Sequence, residues 1–152
     1  MWLFKKQKQE TVVVNGKTYS TDLSNDKLDK VMSETRSKFD ELQKENHRWT
    51  EQANVLFGHQ NRGIELEKEG KLEAAIEEYE AAVAYGREAD KMGVNQYYYS
   101  LERLCFIYRK LRLYDKEIAT IEAALAEYIN DKDRERMTAR LDKAVSLKQK
   151  QR

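Results

Sequence analysis

Apolar residues recur along this chain at helical intervals, and the interval changes character along the way. Leu28, Met32, Thr35, Phe39, Leu42, Asn46, Trp49, Ala53 and Leu56 follow one another by alternating steps of four and three, a seam of period 3.5 over four heptads. Such a seam predicts one long helix that must pack along another. Ser24 or Asn25 can accept its first free backbone N–H groups. In heptad terms Met32, Phe39, Asn46 and Ala53 share one core position, and Leu28, Thr35, Leu42, Trp49 and Leu56 the other. Nothing between residues 49 and 69 demands a break, so this helix either bends or runs directly into the next helical segment.

Ahead of the seam, Val12-Val13-Val14 and Lys17-Thr18-Tyr19 flank Asn15-Gly16, a pair that tolerates positive φ and closes a two-residue hairpin. A lone hairpin is marginal in water. It is either a small appendage or an exposed edge that adds a strand to a partner.

After the seam the pattern repeats. Gly63-Ile64, Leu66, Gly70, Leu72, Ala75-Ile76, Tyr79 and Ala82-Val83 are answered by Leu104-Cys105, Tyr108, Tyr114, Ile118, Ile121 and Ala124-Leu125. Repetition of this kind predicts stacked helix pairs. The first pair has a long second helix, roughly residues 72–92, which Gly93 ends before Asn95 caps the next. Residues 131–148 carry Met137, Leu141, Ala144, Val145 and Leu147 near one face and read as a closing helix. The fold class is therefore all-α. The expected organisation is a tail at 1–23, a long helix at 24–57, two helix pairs at 58–130 and a closing helix with a basic end at 131–152.

The first unit resembles a tetratricopeptide repeat. Gly63, Leu66, Ala75 and Tyr79 stand where that family places its small residue, large apolar residue, Ala and second aromatic, and Gly70 stands in its helix-to-helix turn. The second unit departs from the pattern, with Glu117 in the place of Ala and Arg112 in the place of Gly. Ala75 and Glu117 are 42 residues apart, against a usual period of about 34. Longer repeats of this sort are similar to those of kinesin light chains and bacterial peptide-pheromone sensors. The resemblance implies an α-α superhelix whose groove, lined by the first helix of each unit, binds a peptide or helix. Its candidate lining is Phe57, Gln60, Ile64, Glu67 and Lys68 from the first unit, with Tyr99, Glu102, Arg103, Phe106, Arg109 and Lys110 from the second. Gln60, Ile64 and Glu102 do not reproduce the Lys and Asn cluster with which one subgroup grips chaperone C-termini. Two repeats are fewer than the three or so that a stable stack needs, so the long helix and the closing helix are expected to supply the missing layers.

Composition supports this picture and narrows the chemistry. The 152 residues suit one domain, and 36% charged residues with no proline favour long solvated helices. A net charge of +1 gives no global pull towards nucleic acid or an anionic membrane, although 132–152 forms a local basic patch. That patch also suits the C-terminal end of a helix. Tyr97-Tyr98-Tyr99 point about 100° apart on a helix and cannot form one stacking platform for bases. Met1-Trp2-Leu3-Phe4 with Lys5, Lys6 and Lys8 is at best a marginal membrane anchor, and no signal peptide or spanning segment is legible. A single cysteine, Cys105, permits no intramolecular disulfide and points to a reducing cytoplasm.

No phosphate-cradling loop, CxxC, HExxH or nucleophile-elbow motif occurs. His47 and His59 are about 18 Å apart on a straight helix, too far to share a metal. No enzyme, cofactor or metal is expected. Two readings remain. One is an adaptor that binds a protein or peptide through the groove. The other is a homo-oligomer associating through the 28–56 seam, with Leu28, Met32, Phe39, Leu42, Asn46 and Trp49 as the interface. Asn46 in the seam suits a parallel homodimer, whereas the bulk of Phe39 and Trp49 favours packing within the chain.

Overall fold

A computed structural model describes residues 11–20 and 25–151. Its elements are the strands β1 (Thr11–Val14) and β2 (Lys17–Ser20), then the helices α1 (Asn25–Lys68), α2 (Leu72–Glu88), α3 (Val94–Lys110), α4 (Tyr114–Ala126) and α5 (Asp131–Gln151). The fold is all-α, with one small hairpin. The candidate membrane anchor at residues 1–8 and the candidate cap Ser24 lie outside the described residues. Among those described, no helix is long and apolar enough to cross a membrane.

The chain divides into two units, Met1–Glu45 and Asn46–Arg152. In the first, Asn15 (φ 51°) and Gly16 (φ 74°) both take positive φ and close an antiparallel pairing of Val12 with Tyr19 and Val13 with Thr18. The same unit holds the first turns of α1, where the seam is exposed. Leu28 is 44% exposed, Met32 61%, Phe39 58% and Leu42 59%, and Trp49 in the second unit is 43%. This exposure departs from the packing within the chain that their bulk favoured. α1 has no break at which the chain could turn back on itself. The seam is buried only where it meets the core, at Ala53 and Leu56, so those two residues belong to the fold and not to the open part of the seam.

The second unit is built from residues 46–68 of α1 together with α2, α3, α4 and α5. Among the described residues, its core holds Leu56, Ala75, Tyr79, Leu101, Cys105, Ile107, Ile121 and Met137. Small residues set the helix spacing. A Cβ on Gly63 would stand 2.8 Å from the Tyr79 ring, and one on Gly86 would stand 2.3 Å from the Tyr97 ring and 3.0 Å from Leu56. Glycine at these two crossings lets the aromatic rings lie directly on backbone.

The two helix-to-helix turns are the same turn, 42 residues apart. Gly70 N–H bonds to Glu67 C=O and Lys71 N–H to Leu66 C=O; Arg112 N–H bonds to Arg109 C=O and Leu113 N–H to Tyr108 C=O. Gly70 takes φ 76° and Arg112 takes φ 59°, so Arg112 adopts the left-handed conformation that glycine supplies in the first turn.

Two predicted boundaries move. α2 ends at Glu88, four residues short of Met92, and Gly93, not Asn95, is the N-cap of α3. The cause is tertiary. Gln52 of α1 donates from Nε2 to Asp90 Oδ1 at 2.7 Å and accepts from Lys91 N–H at 3.0 Å, while Arg48 pairs with Asp90 at 3.1 Å. These bonds draw the chain out of the helix, and Met92 turns back into the core. Gln96 Oε1 then accepts the Gly93 N–H at 2.8 Å. At the start of α5 the Asn130 side chain accepts the Asp133 N–H at 2.8 Å and serves as its cap. Met137 and Ala144 of α5 are buried, whereas Val145 is exposed.

Candidate partner-binding face

Polar side chains tie α1 and α3 together. Ser100 Oγ donates to Gln60 Oε1 at 3.2 Å, and Arg103, about one turn further along α3, clamps Glu67, about two turns further along α1. The Arg103 Nε donates to Glu67 Oε2 at 3.1 Å and its Nη2 pairs with Oε1. Tyr79 of α2 donates its hydroxyl to the same carboxylate at 3.0 Å. Burial by itself would raise the Glu67 carboxyl, but the Arg103 and Tyr79 hydrogen bonds outweigh it and hold the group below the usual carboxylate range. The same pairing pushes Arg103 further towards its charged form. The Tyr79 hydroxyl is pushed up, by burial first and by Glu67 second.

Around this clamp the apolar residues repeat with the fold. Phe57 and Ile64 lie seven apart on α1, and Tyr99 and Phe106 occupy the same two places on α3, 42 residues on. A spacing of seven is close to two helical turns, which puts each pair on one face. Phe57 and Ile64 are half-buried against the core, while Tyr99 and Phe106 are 42% and 48% exposed. Tyr99 meets Tyr79 edge-on at 6.5 Å between centroids. The Arg103 guanidinium lies 4.6 Å over the Phe106 ring, so one arginine binds the clamp and covers an aromatic. Exposed Lys110 adds positive charge near Glu67.

The remaining candidates serve other contacts. Lys68 pairs along its own helix with Glu65 at 2.8 Å. Glu102 approaches Arg140 of α5 at 3.9 Å. Arg109 is engaged on its far side: its Nη2 meets Glu117 Oε1 at 2.7 Å and donates to the Arg140 carbonyl at 2.9 Å. It joins α3, α4 and α5. Of the interface candidates on α1, Leu28, Met32, Phe39, Leu42, Asn46 and Trp49 are all exposed in the single chain.

Ser100 and Arg140 escaped the sequence reading, and Glu117 entered it only as a departure from the repeat pattern. Glu117 is fully buried and stands at the place of Ala75, yet it is the counter-ion of Arg109. An acid at a buried position eight residues after an arginine, across a tight turn, was the available signal. Cys105 occupies the place of Gly63 and is fully buried, with its thiol pushed up to about 12 by burial. It is held as a neutral packing group. His59 faces Glu78 at 2.7 Å on the other side of α1, and among the described residues no group of three or more His, Cys, Asp or Glu is placed to hold a metal. No protein-family model, curated protein or solved structure matches this chain.

Proposed function

We propose that this protein is a non-catalytic interaction module of the tetratricopeptide-repeat type, an adaptor in the cytoplasm that grips a peptide or helix of another protein along α1 and α3. The carrying observation is the repeated apolar pair, Phe57 and Ile64 answered by Tyr99 and Phe106, on two helices locked side by side by Glu67 and Arg103. The lock fixes the distance between the two pairs, so the face is organised before any ligand arrives, and binding loses little to reorganisation. The 42-residue repetition of the turns, with Gly70 and Arg112 in the same conformation, supports the repeat reading. An apolar ligand side chain every two turns would meet the stripe, and exposed Lys110 would favour an acidic flank.

Panning a random peptide display library on the full chain, followed by calorimetry of the selected peptides, tests this. Tyr99→Ala with Phe106→Ala is expected to weaken binding at least tenfold while the chain still unfolds cooperatively, because neither ring belongs to the buried core. Arg109 is the wrong residue to replace, since it holds three helices together. Selected peptides that bind the double variant as well as the parent would refute the assignment of this face.

A further inference from the structure

The exposed seam of α1 reads the same from either end. From Met32 to Trp49 its inward positions are Met32, Thr35, Phe39, Leu42, Asn46 and Trp49, which run large, polar, large, large, polar, large. Every one of them is exposed in the single chain. Beyond Trp49 the seam is already occupied, because Ala53 and Leu56 are buried in the core of their own chain.

We propose that a second copy of this chain covers the seam with its own α1 running antiparallel. Phe39 then faces the partner's Leu42, Met32 faces the partner's Trp49, and Asn46 faces the partner's Thr35. In antiparallel coils the two core positions of the heptad meet each other, so this register follows from the sequence once the polar residues are matched. The match has a donor and an acceptor. The Thr35 hydroxyl already donates to the Val31 carbonyl at 2.8 Å, which leaves its oxygen to accept from the Asn46 amide. Sliding the partner by one heptad either way would set Asn46 against Leu28 or Leu42 and bury an unpaired amide.

The flanking charges discriminate between orientations. In the antiparallel register Lys38 lies beside the partner's Glu45, twice by symmetry, and Arg36 lies beside the partner's Gln43. A parallel pairing sets Lys38 beside Gln43 and Glu45 beside Thr50, with no opposite charges meeting. It would also stack Phe39 on Phe39 and Trp49 on Trp49, and would bring together the Ala53 and Leu56 layers that each chain has already covered. The antiparallel pairing covers the stretch from Met32 to Trp49 and leaves Leu28 outside it, opposite the partner's buried Ala53. It therefore replaces the parallel dimer suggested by Asn46 alone.

Sedimentation equilibrium of the pure chain is expected to give twice the 18.0 kDa of one copy. Phe39→Glu with Leu42→Glu should return it to a single copy with unchanged helical circular dichroism, since both side chains are exposed before pairing. Should that variant lose helix, Leu42→Asn is expected to weaken self-association at least tenfold. Orientation is read by pulsed electron paramagnetic resonance on spin labels at Lys30→Cys or Glu41→Cys in a Cys105→Ala background. The antiparallel dimer gives a short distance at position 41 and an axial offset of roughly 30 Å at position 30, whereas a parallel dimer gives similar distances at both. Similar distances, a dimer that survives the glutamates, or a pure chain that stays a single copy at high concentration would each overturn the proposal, the last leaving the seam to a different protein.

Discussion

A fully buried carboxylate is costly to hold in a folded protein unless a counter-ion meets it. Glu117 has no solvent exposure, and the guanidinium of Arg109 at 2.7 Å is what makes its charge tolerable there. Removing one partner strands the other, so Arg109→Ala is expected to cost about 3 kcal/mol in urea denaturation. Replacing both, Arg109→Leu with Glu117→Ala, should recover most of that loss, because Ala fits the equivalent position at Ala75 and an apolar pair carries no desolvation penalty. A double variant as unstable as the single one would mean that the loss comes from the Arg140 carbonyl contact of Arg109 and not from the ion pair. The pair was hidden in the sequence for a physical reason. A repeat pattern describes what a position usually holds, so Glu117 reads as a departure, whereas its burial depends on a residue in the neighbouring helix. By contrast Gly63 and Tyr79 were legible as a contact, since a small residue and a ring at those places have one sensible relation, and the structure lays the ring on the glycine.

At the level of the element, the two turns offer a direct comparison of one backbone carrying two residues. Gly70 meets its positive φ without strain, and a Cβ there would touch nothing within 4 Å, so Gly70→Ala isolates the conformational cost, about 1 kcal/mol. Arg112→Gly removes the same cost from the second turn and is expected to raise the thermal midpoint by about 2–4 °C. A midpoint that falls instead would show that the Arg112 side chain contributes more than its backbone strain removes. Helix starts and stops were legible where local chemistry sets them, as at Gly70. They were not legible at residues 89–93, because Gln52 reaches that loop from another helix and ends α2 by tertiary hydrogen bonds. The candidate face shows the same division. Its apolar repeat, Phe57 and Ile64 with Tyr99 and Phe106, follows from periodicity, whereas which charges face outward depends on what they meet, and Glu67, Glu102 and Arg109 each meet a residue of another helix.

Across the whole molecule, burial and exposure are unevenly shared between the two units. Among the described residues, the buried core begins at Ala53, and the loop contacts of Arg48 and Gln52 fall just before it. The large apolar side chains of α1 from Leu28 to Trp49 are instead exposed. Folding and association are therefore separable by cutting the chain at the unit boundary. A fragment of residues 46–152 is expected to unfold cooperatively, with a midpoint within about 5 °C of the full chain carrying Phe39→Glu and Leu42→Glu. The single-copy variant is the proper reference, because self-association would add apparent stability to the parent by mass action. Residues 25–45 alone should show little helix, since a segment of that length without a packed face is marginal in water. If the fragment melts without cooperativity, the core draws on residues before Asn46, and exposure of the seam in the single chain would have to be explained by folding instead of association. If it melts as expected, the seam from Leu28 to Leu42 contributes nothing to folding, and its exposed apolar side chains have association as their remaining physical use.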